Sequence, residues 1–228
     1  MVGEMRRGWS VRVNAWCLQP WSKPLVFALM LLPLATLVWA VGFDQLGANP
    51  AQALVRRTGD WTLRALCLLL AVTPLRVSLK LPALARWRRM LGLYVYFYVC
   101  LHLLSYAWFD MGFELADILQ DIAKRPFILV GFTGFVLLSA LALTSSNRVV
   151  RAMGGKNWQR LHQMVYAVAG LALLHFFWMR AGKNDFAQVW LYAVIIGLLL
   201  GWRILRYLIS SMKLAFSPFI ERIGRYIF

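Results

Sequence analysis

Three histidines are the residues of this 228-residue sequence best suited to chemistry. His102 and His175 each lie within a long apolar run, "VCLHLLSYAW" and "VAGLALLHFFW", and His162 lies 13 residues before His175. A neutral imidazole costs far less to bury than a charged group, and its unprotonated nitrogen can bind a metal. The three cysteines form no CxxC pair and have no zinc-like spacing. The histidines are therefore the candidate ligands of a metal held in apolar surroundings.

The composition is typical of a membrane protein. Hydrophobic residues make up 61% of the chain and charged residues only 15%, whereas about a quarter of the residues in ordinary soluble domains are charged. A net charge of +16 can indicate a nucleic-acid-binding protein, but here the Lys and Arg residues lie in short clusters between apolar runs, and no nucleic-acid-binding motif is present. We therefore expect membrane lipid, and no nucleic acid, around this chain.

Apolar runs long enough to cross a bilayer predict six transmembrane helices. The predicted fold class is all-α, a polytopic six-helix transmembrane bundle over residues 24–207, between an N-terminal segment, 1–23, and a basic tail, 208–228. No acidic residue lies inside any predicted span, which weakens a proton-pump or cation-transporter interpretation. The predicted spans are Pro24–Phe43, Trp61–Val77, Met90–Phe109, Phe127–Thr144, Leu161–Met179 and Val189–Tyr207.

The distribution of charges predicts the orientation of the bundle. Eighteen of the 25 Lys and Arg residues lie at the two termini or in the loops on their side, and six lie in the three other loops. Seven of the nine acidic residues lie on that second side. Because basic loops stay in the cytoplasm, both termini are predicted to be cytoplasmic.

His102 and His175 are predicted to lie at the same depth in this bundle. Spans three and five run in the same direction, and the two histidines come about 12 and about 14 residues into them, at ~1.5 Å per residue. Two imidazoles at one depth can hold a haem iron from opposite sides, which leaves no open site on the iron and favours electron transfer over catalysis. A polar contact between helices, or a proton path, explains such histidines as well.

His162 is predicted near the inner face, and its role is open. It lies ~20 Å along an ideal helix and about 140° around it from His175. Span three has no histidine at that depth, where Arg88 and Arg89 stand instead. A second haem site is therefore incomplete, and His162 is equally suited to face a flavin, a quinone head group or a propionate.

Several longer stretches resemble one known family. "RRTGDWTLRALCLLLAVTPLR", "LGLYVYFYVCLHLLSY", "RPFILVGF" and "TSSNRVVRAMGGKNWQRLHQMVYAVAGLALLHFFW" occur in this order. They are similar to the MsrQ (YedZ) family within the ferric-reductase-like transmembrane superfamily. The resemblance extends from about Pro24 to Tyr207 and includes all three histidines.

The resemblance implies a haem b electron-transfer subunit in the bacterial inner membrane. Members of this family take electrons from the quinone pool or a cytoplasmic flavin reductase and pass them to MsrP, a periplasmic molybdenum enzyme. That partner reduces methionine sulfoxide in oxidised periplasmic proteins. The resemblance places the family's haem-iron ligands on His102 and His175, with His162 as the third histidine, and implies one or two haems and an FMN. The chain itself is then an electron carrier rather than the catalytic subunit.

Five further residues are candidate cofactor contacts. Arg88, Arg89 and Arg148 lie in basic inner loops and are suited to bind the phosphate of FMN, since cationic side chains pair with phosphate. Trp178 and Arg180, near the outer end of span five, are suited to bind haem propionates. The arginines could equally serve only to set the membrane topology, and Trp178 could belong to the aromatic belt at the membrane interface.

Two other functions compete with this one. A stand-alone transmembrane ferric reductase would use the same haem but pass its electrons to a ferric chelate. A non-redox helical membrane protein, such as a transporter or an assembly factor, would use the histidines for packing alone.

Overall fold

The computed structural model describes residues 2–182 and 184–227, with side chains for residues 8–182 and 184–212. Every regular element in these ranges is helical, which confirms the predicted all-α class. The elements are α1 (Val2–Leu18), α2 (Ser22–Gly42), α3 (Pro50–Ser78), a 3-10 helix (Pro82–Trp87), α4 (Arg88–Phe109), α5 (Leu115–Lys124), α6 (Pro126–Leu143), α7 (Asn147–Met153), α8 (Gly155–His162), α9 (Val165–Ala181) and α10 (Ala187–Ile227).

The six predicted spans are present. Within the described residues, six helical segments are long and apolar enough to cross a membrane: α2, α3, the 3-10 helix with α4, α6, α8 with α9, and α10 as far as Met212. The helices α2, α4 and α6 begin and end within two residues of the predicted bounds. Helix α10 begins at Ala187 and continues through the predicted basic tail to Ile227, and side chains beyond residue 212 lie outside the described residues.

Span two starts much earlier than predicted. Helix α3 begins at Pro50, eleven residues before Trp61, because Asn49 caps its first turn: the Asn49 side chain accepts a hydrogen bond from the Gln52 N–H at 3.0 Å, and Pro50 occupies the first helical position. Asp60 therefore lies inside a helix and not in a loop, so the expectation that no acid lies within a span was wrong. A hydropathy window misses this start because Arg56, Arg57 and Asp60 follow it, whereas the Asn-Pro pair marks the beginning of the helix.

Span five is interrupted, contrary to the continuous span predicted over Leu161–Met179. Helix α8 ends at His162 and α9 begins at Val165. Between them, the N–H groups of Met164 and Tyr166 bond to carbonyls three residues back, over 3.0 Å each, rather than four. This tight turn breaks the helix just after His162, so an ideal-helix angle between His162 and His175 does not apply.

Two helix pairs form the centre of the bundle. Helix α3 packs along α4, and α6 packs along α9, with α4 and α6 also in contact. The fully buried side chains of Leu66, Val95, Tyr98 and Val168 fill the space between the helices. The Tyr98 hydroxyl donates to the backbone carbonyl of Met30 in α2 at 2.6 Å, which fastens α2 to this centre.

A charged side chain of α10 satisfies a carbonyl that a proline in α3 leaves free. Pro74 lies inside α3 and has no N–H, so the carbonyl of Leu70 lacks its usual helical donor. Arg203 of α10 donates to that carbonyl at 2.7 Å and also to the Tyr166 hydroxyl of α9. One guanidinium thus joins α3, α9 and α10.

Replacing Arg203 with Met is expected to destabilise the bundle, because it keeps an apolar stem but removes both donors. Hydrogen bonds to charged groups contribute about 1.5–3 kcal/mol each, so we expect a loss of about 2 kcal/mol or more. Thermal unfolding in detergent, followed by circular dichroism, measures this change. Arg206→Met is the matched control, since Arg206 is exposed one turn further along α10 and, among the described side chains, contacts the Trp202 ring alone. Equal unfolding temperatures for the two variants would contradict the role of Arg203.

Candidate functional site

The structure brings His102 of α4 and His175 of α9 together. Their ring centroids are 6.2 Å apart, and the ring planes are inclined by 76°. The equal depth expected from the two parallel spans is therefore confirmed. We call these two residues the histidine pair.

Each ring of the histidine pair is oriented by a backbone carbonyl of a neighbouring helix. Nδ1 of His102 lies 2.9 Å from the carbonyl oxygen of Val55 in α3, and Nδ1 of His175 lies 2.7 Å from that of Phe127 in α6. A carbonyl oxygen only accepts hydrogen bonds, so Nδ1 of each ring carries the proton. Nε2 is then the nitrogen with a free lone pair on both rings. In the described part of the chain, neither Nε2 takes part in a hydrogen bond.

The spacing of the histidine pair fits two ligands on opposite sides of one metal ion. A metal–imidazole bond is about 2 Å long and the ring centre lies about 1 Å farther, so the two centres should be about 6 Å apart. The observed separation is 6.2 Å. Among the described residues, no group of three or more His, Cys, Asp or Glu side chains is placed to hold a metal. The donor set is thus two imidazoles, which suits a metal whose other four ligands come from a porphyrin.

His162 does not join the histidine pair. Its ring stacks on Trp158, with centroids 3.9 Å apart and planes inclined by 27°. Its Nδ1 lies 3.1 Å from the Trp158 carbonyl oxygen and its Nε2 lies 3.4 Å from Oγ of Ser145. Arg88 and Arg89 are near enough to interact electrostatically with this imidazole. Both ring nitrogens therefore have polar neighbours within the protein.

The candidate phosphate-binding arginines lie at the start of α4 and in α7. Arg88, Arg89 and Arg148 are exposed. One guanidinium nitrogen of Arg89 donates to Oδ1 of Asn147 at 2.6 Å, which ties α4 to α7. Their role in binding a cofactor stays a prediction.

The two candidate propionate contacts differ in their surroundings. Arg180 forms an ion pair with Asp185 at 3.1 Å and also donates to Oε1 of Gln188 at 3.1 Å. Its charge is therefore already partly balanced by the protein. Trp178 is 38% exposed, as expected for a side chain at the membrane interface. A propionate contact for either residue stays a prediction.

The sequence did not predict that the carbonyls of Val55 and Phe127 accept hydrogen bonds from the two histidine rings. A backbone acceptor carries no side-chain signature, and only the packing of α3 on α4 and of α6 on α9 shows which carbonyls face the rings. The sequence does contain one indirect signal, a glycine four residues after each of these carbonyls, in "VRRTG" and "FILVG".

Comparison with known families agrees with this geometry. Residues 58–174 match the model of the family described as ferric reductase like transmembrane component. Over most of its length the chain is also similar to proteins named protein-methionine-sulfoxide reductase heme-binding subunit MsrQ. The chain belongs to the MsrQ family of ferric-reductase-like membrane proteins.

Three of these relatives illustrate the extent of the similarity. The protein of Polaromonas naphthalenivorans is 66% identical over 196 residues, which cover 86% of this chain and 90% of the relative. The protein of Herminiimonas arsenicoxydans is 50% identical and covers 78% of this chain and 82% of its own. That of Bordetella pertussis is also 50% identical and covers 80% and 88%. No solved structure matches the chain.

Proposed function

We propose that this chain is a haem b electron-transfer subunit of a methionine sulfoxide reductase system. The observation that carries the proposal is the histidine pair, with its rings 6.2 Å apart and both Nε2 atoms free to bind iron. A bound haem supplies one-electron redox chemistry. His102 and His175 would occupy both axial positions, so no position is left for a substrate. The chain is therefore an electron carrier rather than the catalytic subunit.

We propose that the electrons leave towards the periplasm. The relatives' name assigns them to a protein-methionine-sulfoxide reductase, and the histidine pair lies in the second half of both α4 and α9. With both termini in the cytoplasm, this half faces the periplasm. The acceptor is then MsrP, the periplasmic molybdenum-dependent reductase that repairs oxidised methionine in periplasmic proteins.

The proposed topology sets residues 24–207 in the bacterial inner membrane and leaves 1–23 and 208–228 on its cytoplasmic side. The excess of Lys and Arg on the side of the termini supports this orientation. Fusing alkaline phosphatase to residue 228 is expected to give an inactive enzyme, and fusing it after Gly112 an active one. The reverse pattern would overturn the orientation and, with it, the periplasmic acceptor.

The electron donor is proposed to act at the inner end, either as the quinone pool or as a cytoplasmic flavin reductase. FMN is the proposed carrier there, with Arg88, Arg89 and Arg148 holding its phosphate by charge. Because both nitrogens of His162 have polar neighbours within the protein, we propose one haem rather than two, and assign His162 to the surroundings of this inner carrier.

The ligand assignment predicts distinct spectra for three alanine variants. The purified wild-type protein is expected to have the Soret and α bands of a six-coordinate low-spin haem. His102→Ala and His175→Ala are each expected to lose these bands and to retain at most about a tenth of the wild-type haem content. Losing an iron ligand should weaken binding at least as much as losing an outer contact, which lowers metal affinity about 10–100-fold. His162→Ala is the control and is expected to keep the bands. Unchanged spectra in both ligand variants would refute the assignment.

The identity of the acceptor is tested by re-oxidation. The protein is reduced with dithionite in proteoliposomes, the excess reductant is removed, and purified MsrP is added with a methionine sulfoxide substrate. We expect the haem spectrum to return to the oxidised form only when both are present. Re-oxidation by a ferric chelate but not by MsrP would favour the ferric reductase alternative.

A further inference from the structure

The two oriented rings share one feature on different helices, although in α3 the Thr58 hydroxyl also lies 3.0 Å from the Val55 carbonyl oxygen and 3.4 Å from Nδ1 of His102. In α3, the carbonyl of Val55 accepts from His102, and Gly59 follows four residues later. In α6, the carbonyl of Phe127 accepts from His175, and Gly131 follows four residues later. No sequence similarity beyond the glycine links the two stretches, so the recurrence points to a shared physical requirement.

Both glycines touch the imidazoles that their helices orient. A Cβ atom at Gly131 would lie 2.8 Å from Nδ1 and 2.9 Å from Cε1 of His175, which is closer than real Cβ contacts allow. At Gly59 it would lie 3.1 Å from Cε1 and 3.2 Å from Nδ1 of His102, which requires the ring to move by a few tenths of an ångström. A side chain at Gly131 would therefore clash with its ring more severely than a side chain at Gly59.

The geometry of an α-helix explains why the glycine comes four residues after the carbonyl. The carbonyl of residue i points towards residue i+4, so a side chain at i+4 covers its flank. Thr133 demonstrates this in α6, where its hydroxyl donates to the carbonyl of Leu129 four residues earlier at 2.8 Å. A glycine at i+4 leaves the flank open, and the second lone pair of the carbonyl oxygen can accept an N–H from another helix.

We infer that Gly59 and Gly131 are positioning residues for the two imidazoles. Each opens a helix carbonyl to the Nδ1–H of a histidine, which fixes the ring so that Nε2 faces the metal position. This inference rests on the proposed haem function. The hydrogen bond from Nδ1–H increases electron donation from the imidazole, which stabilises the oxidised iron and lowers the midpoint potential.

The chain offers matched controls for both glycines. Gly134 lies in α6, one turn from Gly131, and a Cβ there would meet nothing within 4 Å. Gly92 lies in α4, and a Cβ there would make only an ordinary contact of 3.8 Å with Leu69. Gly→Ala raises helix propensity at all four positions alike, so differences between the variants report the contact with the ring.

The test compares the absorption spectrum, electron paramagnetic resonance signal and midpoint potential of the four alanine variants in the haem-loaded protein. Gly131→Ala is expected to convert part of the haem to a high-spin or five-coordinate form. Gly59→Ala is expected to stay six-coordinate, with changed g values and a positive shift of the midpoint potential. Gly134→Ala and Gly92→Ala are expected to match the wild type in all three measurements.

Other outcomes separate this inference from the proposed function. A wild-type protein that binds no haem overturns the proposed function itself. A low-spin wild type whose spectra and potential are unchanged in Gly131→Ala and Gly59→Ala overturns only the role of the glycines. If Gly131→Ala does not accumulate in the cell, the result for Gly59→Ala decides whether the glycines position the rings, since a Cβ at Gly59 would approach its ring less closely. Electron–nuclear double resonance on the wild type adds a direct check, because iron bound through Nδ1 would also overturn the inference.

Discussion

An N–H or O–H group inside an apolar helix bundle needs an acceptor, and for several side chains of this protein backbone carbonyls of neighbouring helices supply it. The histidine pair is the clearest case, because the carbonyls of Val55 and Phe127 accept from the two rings. These bonds hold each Nδ1 against a neighbouring helix and leave each Nε2 without a hydrogen bond among the described residues. The 6.2 Å separation of the rings therefore depends on how α3 packs on α4 and how α6 packs on α9.

The same kind of bond recurs through the bundle. Tyr94 and Tyr98 donate to carbonyls of α2 at 2.8 and 2.6 Å, and Arg203 donates to the carbonyl of Leu70 that Pro74 leaves free. Within lipid there is no hydrophobic driving force between helices, so such polar contacts help to set which helices touch and in which register. The spacing of the histidine pair is thus set by contacts within and between two helix pairs.

Much of the architecture was predictable because hydropathy acts locally. Apolar runs of sufficient length define α2, α4 and α6 to within two residues. Because spans three and five run in the same direction, the positions of the two histidines along them were enough to predict equal depth. The errors have physical causes as well. The charged residues that follow within the helix concealed the start of α3 at Pro50, although Asn49 marks it as a helix cap. The break after His162 arises from hydrogen bonds three residues apart, which leave no trace in the average hydropathy.

The sequence by itself determined the number of spans and the side with the excess of basic residues, because hydropathy and loop charge are local properties of each segment. It also identified the histidines, whose imidazole nitrogens are able to bind a metal. Only the tertiary structure decided that His102 and His175 face each other, that His162 stacks on Trp158 away from them, and which carbonyls orient the rings. These depend on the rotation of each helix about its own axis. That rotation is set by contacts between segments dozens of residues apart, and a single glycine such as Gly131 acts through the space it leaves for a ring on another helix.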